Sequence, residues 1–496
     1  MNKFLRAIYA VIPFICDQDS DIHLPGSHGG RVRKGHNGPG AAWAAPLDRR
    51  FSYRHPRILS ISILAPAPMM MFFVEREGRL CESIFGGDII SGTMSSDTII
   101  IGGGMAGLYS AYLLRKHSPQ TTFLVLEKTA KSHMGGRTNN EMFYGTQVVT
   151  GAGIGRKKKD KLLQSLMREL GIPISEYKSV VRSSFPKTVD IESMVETAKR
   201  HPALHEITFQ EGFIELFGEE KYREFKLSAG FTDYEKADMY ETLYHYGMDD
   251  NVGGWTGFAV PWKMLVETLY HKIGETRFRF SCAVEKVREI HGKKRRFEIA
   301  TESGATFFAD RVIVATDIAG IRRILPGASK PDSVYRKIHG QPFLKLYAKF
   351  NRESAEIVKE YVKGYTVVQG PLQKIIPMDA EKGVYMIAYS DNQHAVSLKR
   401  YLENTPPNRE TFCRFVEKAL GIRKGVLTIL ALRPHYWPIG THYYEPLGET
   451  AAEDFWEKIQ HPQEGILVVG EAVSRHQGWV EGALESVKTG FRGKWA

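Results

Sequence analysis

Apolar residues in this chain fall either in short unbroken runs or at helical spacing, and the order of the two kinds predicts the architecture. The run 98–101 is followed by a glycine-rich turn, then by Leu108, Ala111, Leu113 and Leu114 at helical spacing, then by a second run at 123–126. Unbroken short runs suit strands buried on both faces, and a period near 3.6 suits a helix packed on them. Residues 98–127 therefore predict strand, turn, helix and a second parallel strand, a βαβ unit of about 30 residues. Further on the pattern predicts a helix over 258–273, a strand over 283–290, a hairpin of 295–300 and 305–308 turning at Ser303-Gly304, and a returning buried strand at 311–315. Near the far end, 466–469 reads as another buried strand, and Val480, Ala483, Leu484 and Val487 share one face of a helix. Two stretches lie between these groups. Residues 171–252 are helix-like and rich in Glu, Lys and aromatics, whereas 322–425 carry strand-like runs at 343–350 and 383–389. Before about Ser95 no steady period exists, and Gly, Pro and Arg are frequent.

Composition narrows the function classes. A chain of 496 residues with 43% hydrophobic content can bury a large core in two or three domains. The formal charge of +11 is spread along the chain. The basic runs 156–161 and 293–296 read as solvated faces or turns, and no nucleic-acid-binding motif accompanies them, so no nucleic-acid partner is expected. Cys16, Cys81, Cys282 and Cys413 are too scattered for a disulfide framework, which favours a reducing, cytoplasmic compartment. His201 and His205 have an i, i+4 spacing but no third ligand nearby, so they read as surface or capping residues and no metal is expected. The apolar runs 7–16 and 61–74 do not span a bilayer, the first being short and the second carrying Pro66 and Pro68. Lys3 and Arg6 precede the first run as in a signal peptide, but Pro13 interrupts it and no clear cleavage site follows. Met94 stands directly before the first strand, so 1–94 are expected to be a poorly structured extension or a mis-assigned start.

The turn itself carries chemistry. It reads Gly102-Gly103-Gly104-Met105-Ala106-Gly107. Gly102 permits a tight turn, Gly104 lets a pyrophosphate approach the backbone at the positive end of the helix, and Gly107 lets helix and strand pack closely. Glu127, ending the second strand, is placed to accept hydrogen bonds from ribose hydroxyls and would repel a 2′-phosphate, which favours FAD or NAD over NADP. Beyond it comes Met134-Gly135-Gly136-Arg137-Thr138, and near the far end Gly470-Glu471-Ala472 precedes Gly478-Trp479-Val480-Glu481-Gly482. Gly135 and Gly136 allow a close backbone pass, and Arg137 supplies fixed positive charge beside the pyrophosphate.

Together these motifs resemble the flavin-containing amine oxidase family, which includes monoamine, polyamine and L-amino-acid oxidases; the resemblance covers about 97–490 and is specific only at the motifs. It implies an α/β chain with a Rossmann-like FAD-binding domain assembled from three discontinuous segments, 95–170, 253–321 and 426–496, and an inserted α+β substrate-binding domain from 171–252 and 322–425. Met105, Ala106 and Lys128 join the glycines and Glu127 around FAD. Glu471, beside Gly470, takes a ribityl or phosphate-side hydroxyl. The helix beginning near Trp479 and Val480 points its positive end at the flavin ring, where it stabilises the anionic reduced form. A valine backbone lies against adenine; Val284 matches, Val287 is the alternative, and both also read as plain core residues.

The resemblance also implies that Lys345, within Gln341-Pro342-Phe343-Leu344-Lys345-Leu346, holds a water at the reactive flavin nitrogen; a solvent-facing strand lysine is the other reading. Trp479 forms one wall of an aromatic cage and His442 or Tyr443 the other. Where monoamine oxidases bond a cysteine to the flavin, this chain has Gly440-Thr441-His442, so FAD is expected to be bound noncovalently. The chain stops at Ala496 soon after the flavin helix, so no membrane anchor is expected. The expected reaction is oxidation of a small amine or amino acid to an imine, with oxygen reduced to hydrogen peroxide. A carbon-carbon desaturase or porphyrinogen-oxidase-like enzyme on the same fold, and a flavin-binding protein without turnover, are the alternatives. A homodimer is left open.

Overall fold

The computed structural model describes residues 60–64, 71–76, 79–83 and 94–495, except 252, 293, 449–451 and 493–494. Residues 1–86 cluster as a unit of their own. Within it Ser60–Leu64, Met71–Arg76 and Arg79–Ser83 pair as an antiparallel three-stranded sheet. Residues 1–94, expected to be a poorly structured extension, contain these three short strands; most of that stretch lies outside the described residues.

Within 87–496 the first sheet is built around Met94–Ile101. In order it runs Phe278–Arg279, Phe123–Leu126, Met94–Ile101, Thr306–Val314, Phe297–Thr301 and Val284–Glu289, with Ile466–Val468 also paired to Thr306–Val314. The strands converging on Met94–Ile101 are parallel, and those at 284–301 form an antiparallel extension. Strand alternation divides the apolar runs between two cores. Ile100, Val125, Ile313 and Leu467 face the helices Met105–His117, Trp262–Ile273 and Val480–Gly490. Ile99, Ile101, Leu124, Val312, Val314 and Ile466 face the opposite layer with Ile321, Phe455 and Ile459. Each such side chain is fully buried or nearly so, worth roughly 1.5–3 kcal/mol of transfer free energy. A run with no polar partner on either face is what a double-sided sheet requires.

The second sheet has the order Val181–Ser183, Tyr365–Val367, Lys374–Asp379, Val384–Asp391, Ile338–Phe350, Ile429–Tyr444. It packs on Arg352–Tyr361 and Pro406–Leu420 through Val358, Phe412 and Val416. A helical layer, Ile191–Ala198 and Phe209–Ala229, closes around Phe209, Phe213 and Phe225. Ile429–Tyr444, expected in the dinucleotide-binding domain from 426 onward, instead pairs along Ile338–Phe350 and belongs to this second sheet.

Three local expectations shift for physical reasons. The first strand starts at Met94 because Met94, Ser95 and Ser96 pair with Phe307, Phe308 and Ala309. The segment 258–273 divides into the strand Thr256–Ala259 and the helix Trp262–Ile273, since Pro261 lacks the N–H needed to continue a ladder and suits a helix start. The two strands expected at 305–308 and 311–315 are one, Thr306–Val314, whose two ends have different partners.

Candidate active site

The first glycine turn fits the pyrophosphate of a dinucleotide. Gly102 has φ +111°, and a Cβ there would lie 2.4 Å from the Ala315 carbonyl oxygen; one on Gly107 would lie 1.9 Å from the Gly102 carbonyl oxygen. Neither position tolerates a side chain. Gly104 differs: nothing lies within 4 Å of a Cβ built on it, and the helix it precedes, Met105–His117, has no side-chain cap. Orphan N–H groups thus face open space where an anion would lie. Gly135 donates from its N–H to the Gly103 carbonyl at 3.0 Å, which brings the second glycine pair against the first turn. Gly136 has φ +57° and open space beside it.

Glu127 is buried at the end of its strand and accepts from Gly103 N–H at 2.6 Å and from Thr129. The segment leading to Val284 passes directly beside it, with Cys282 N–H donating to the Glu127 carbonyl at 2.9 Å. Val284 is itself buried at the sheet edge, while its carbonyl accepts from Arg323. Lys128, next to Glu127, is exposed.

Further from the first turn, a clasp centred on buried Glu471 joins distant segments. Arg137 donates to the Gly440 carbonyl at 2.8 Å and to Glu471 at 3.0 Å. Glu471 also meets His442 Nδ1 at 2.8 Å and accepts from the backbone N–H of His442 and of Gly478. Burial opposes ionisation of Glu471, but Arg137 and His442 outweigh it and hold the carboxyl far below its usual range. Arg137 thus places its charge on Glu471, where the sequence suggested the pyrophosphate. His442 has no exposed side-chain surface, and its Nε2 accepts from Ile318 N–H. It braces the loop, and it also contributes to the lining of a neighbouring cavity. Tyr443 is half-buried and stacks on His339, with ring centroids 5.2 Å apart.

Trp479 caps the helix Val480–Gly490, whose first turn also lacks a side-chain cap. Its ring has a charged backing: the Arg156 guanidinium lies 3.5 Å from the ring centroid. Arg156 is buried and ion-paired with Asp160 at 2.6 Å and Asp250 at 2.8 Å. The basic run at 156 is therefore solvated only beyond its first member. Lys345 is not solvent-facing either. It is 5% exposed, its Nζ lies 4.6 Å from the Tyr389 ring centroid and beside Gly153, and burial brings its pKa down to about 7. Gly151 packs on the Arg137 backbone and Gly155 on the Phe258 ring, so Gly151-Ala152-Gly153-Ile154-Gly155 threads between the Arg137 loop and Lys345. The alternating glycines were a visible signal for this close pass.

The cavity that His442 helps to line opens beside the segments 441–444 and 477–478. Its wall includes Thr441, Tyr443 and Gly478, and on the opposite side Asp233, Glu241 and Tyr246. Sequence patterning had no means of finding Asp233 or Glu241. They come from the turn after Phe209–Ala229 and from the short helix Met239–Glu241, which continues into the π-helical turn Thr242–Tyr246. Such turns recur at functional sites. His201 and His205, expected to be surface or capping residues, are largely buried and lie near Glu215 and Asp238; His201 does act as a cap, its Nδ1 accepting from the Ala203 N–H at 3.2 Å. Among the described residues no cluster of potential metal ligands exists, and no helix is long and apolar enough to cross a membrane.

Comparisons with known proteins agree with this geometry. No curated protein matches in sequence. Residues 100–170 match the NAD(P)-binding Rossmann-like domain. Among solved structures, putrescine oxidase in its wild-type form bound to putrescine is similar with a TM-score of 0.61 at 16% identity, over 80% of this chain and 99% of the other. A mutant of putrescine oxidase redesigned for cofactor binding has a TM-score of 0.61 at 15% identity, over 80% and 98%. The profile of flavin containing amine oxidoreductases matches residues 192–489, more than half of the length, and the chain belongs to that family.

Proposed function

We propose that the protein binds FAD noncovalently and oxidises the C–N bond of a small amine to an imine, with oxygen taking up the two electrons and two protons as hydrogen peroxide. The observation that carries this reading is the convergence on one path of an open, uncapped helix start at Gly104, the Arg137–Glu471–His442 clasp, Trp479 and the buried amine of Lys345. Structural neighbours that are putrescine oxidases support it at the level of fold. FAD, when bound, supplies the two-electron acceptor. The chain's own groups do the rest. Gly102, Gly104, Met105, Ala106, Gly107, Gly135 and Gly136 hold the dinucleotide backbone, and Glu127, with Lys128 and Val284 beside it, grips the adenosine end. Gly470 and Glu471 fix the loop that starts the helix at Trp479 and Val480, whose positive end would stabilise negative charge on the reduced flavin. Lys345, brought by burial to about 7, has a neutral Nζ in about half of the molecules at pH 7 and in most of them above it, and would order a water that takes up the departing proton. Trp479 and Tyr443 form apolar walls that favour the uncharged amine and exclude bulk water. No cysteine follows Cys413, so the loop Gly440-Thr441-His442 has no thiol for a covalent link. The test is peroxide release by the yellow protein on a panel of monoamines, polyamines and amino acids, together with acid precipitation. Peroxide with an amine and free FAD in the acid supernatant support the reading; flavin that stays in the protein pellet overturns noncovalent binding.

A further inference from the structure

The mechanism above leaves two buried acids in the cavity wall unused. Glu241 is 7% exposed, and its Oε2 has no hydrogen-bond partner. His245 Nε2, at 4.0 Å, is the near basic group on its own element; burial brings that imidazole down to about 4, so it stays neutral. Asp238, an acid, faces Glu241 as well, and burial together with that charge raises the Glu241 carboxyl to about 8. Arg475, the cation in this wall, is exposed and lies 4.8 Å from the Trp456 ring centroid. Asp233 is also 7% exposed; it accepts from Tyr246 Oη at 2.5 Å. Burial and neighbouring Asp391 raise its carboxyl, with Lys374 opposing, although Lys374 Nζ makes no hydrogen bond. Two acids are thus held out of water with too little positive charge to ionise freely, and a cation entering the cavity would draw both to the carboxylate form.

Resting on the proposed amine oxidation, we infer that Asp233 and Glu241 bind a second, protonated nitrogen of the substrate, so that the preferred substrate is a diamine or longer polyamine rather than a monoamine or an amino acid. The nitrogen to be oxidised must be neutral, and a carboxylate partner would keep it protonated. The acids therefore suit a nitrogen that does not react. An α-amino acid would bring its own carboxylate against these two. The buried arginine beside Trp479 is not available to receive it, because Arg156 is already paired with Asp160 and Asp250.

Rapid-mixing measurements of flavin reduction, with oxygen absent, separate substrate Kd from the limiting rate. Butylamine, 1,4-diaminobutane, longer diamines and ornithine are compared on the holoenzyme. The inference expects 1,4-diaminobutane or a longer diamine to bind at least tenfold more tightly than butylamine, and ornithine to bind more weakly than the diamine of equal length. In Glu241→Gln and Asp233→Asn, each near-isosteric, the diamine-to-monoamine ratio of Kd falls towards one. Equal Kd for mono- and diamines, preference for ornithine, or an unchanged ratio in both variants overturns it while amine oxidation stands. A flavin that none of these compounds reduces overturns amine oxidation itself.

Discussion

Lys345 and Glu471 show opposite ways of keeping a titratable group in a dry site. Burial alone lowers Lys345 to about 7, against about 10.4 for an exposed lysine. Because its folded pKa is depressed, the unfolded chain holds the extra proton between those values. The cost is complete below pH 7 and disappears as pH rises towards 10.4. Lys345→Met is therefore expected to raise stability at pH 6 by on the order of a few kcal/mol in denaturant melts, with the difference closing near pH 10. The same variant is expected to slow anaerobic flavin reduction on the order of 10²-fold. Glu471 carries the reverse sign, since its folded pKa is lowered. Its contribution is complete above the unfolded carboxylate pKa of about 4.3 and fades as pH falls below it. Glu471→Gln, which leaves Arg137 and His442 facing a neutral amide, is expected to cost about 3 kcal/mol at pH 7 and progressively less towards pH 3. Both residues were visible in the sequence through the motifs around them. What could not be read there was that Arg137 turns to Glu471, because their contact joins residues more than 300 positions apart.

At the scale of elements, the two glycines that open the first helix make distinguishable predictions. A Cβ at Gly104 meets no protein atom, so Gly104→Ala is expected to melt like the wild type while weakening FAD binding by roughly tenfold or more, by filling the pyrophosphate cradle. A Cβ at Gly107 meets the Gly102 carbonyl oxygen at 1.9 Å, so Gly107→Ala is expected to lose both stability and FAD. Thermal melts with FAD titration check the pair, and equal behaviour of the two variants contradicts the assignment of the cradle. This βαβ unit was legible because strand period, glycine spacing and terminal acid agree locally. The segment 151–155 was not, although its glycines alternate, since its partners Arg137, Phe258 and Lys345 are supplied by three other elements. Nor does any local pattern indicate that Arg156 backs Trp479. Arg156→Met is expected to cost about 3–5 kcal/mol by leaving Asp160 buried without its cation, while Asp250 keeps Lys159, read as a lowered denaturant midpoint.

Across the molecule, one side of the site is built by the first sheet and its helices and the other by the second, mostly antiparallel sheet with its helical layer. Strand Ile429–Tyr444 connects the two, pairing with Ile338–Phe350 and delivering Gly440 and His442 to the Arg137–Glu471 clasp. The apolar runs predicted the first sheet and two strands of the second, but the membership of this strand depended on its partner. Asp233 and Glu241 lay beyond sequence reasoning for the same reason, reaching the cavity only through the packing of the helical layer. The proposed FAD site draws on groups from several segments, so FAD is expected to stabilise the whole, by about 2.7 kcal/mol at one hundred times its Kd. The most direct measurement of the central claim is anaerobic titration of the FAD-loaded protein with amines, followed by readmission of oxygen. Bleaching of the visible flavin band by an amine, then its return with stoichiometric peroxide, is the predicted result; bound FAD that no amine reduces would contradict it.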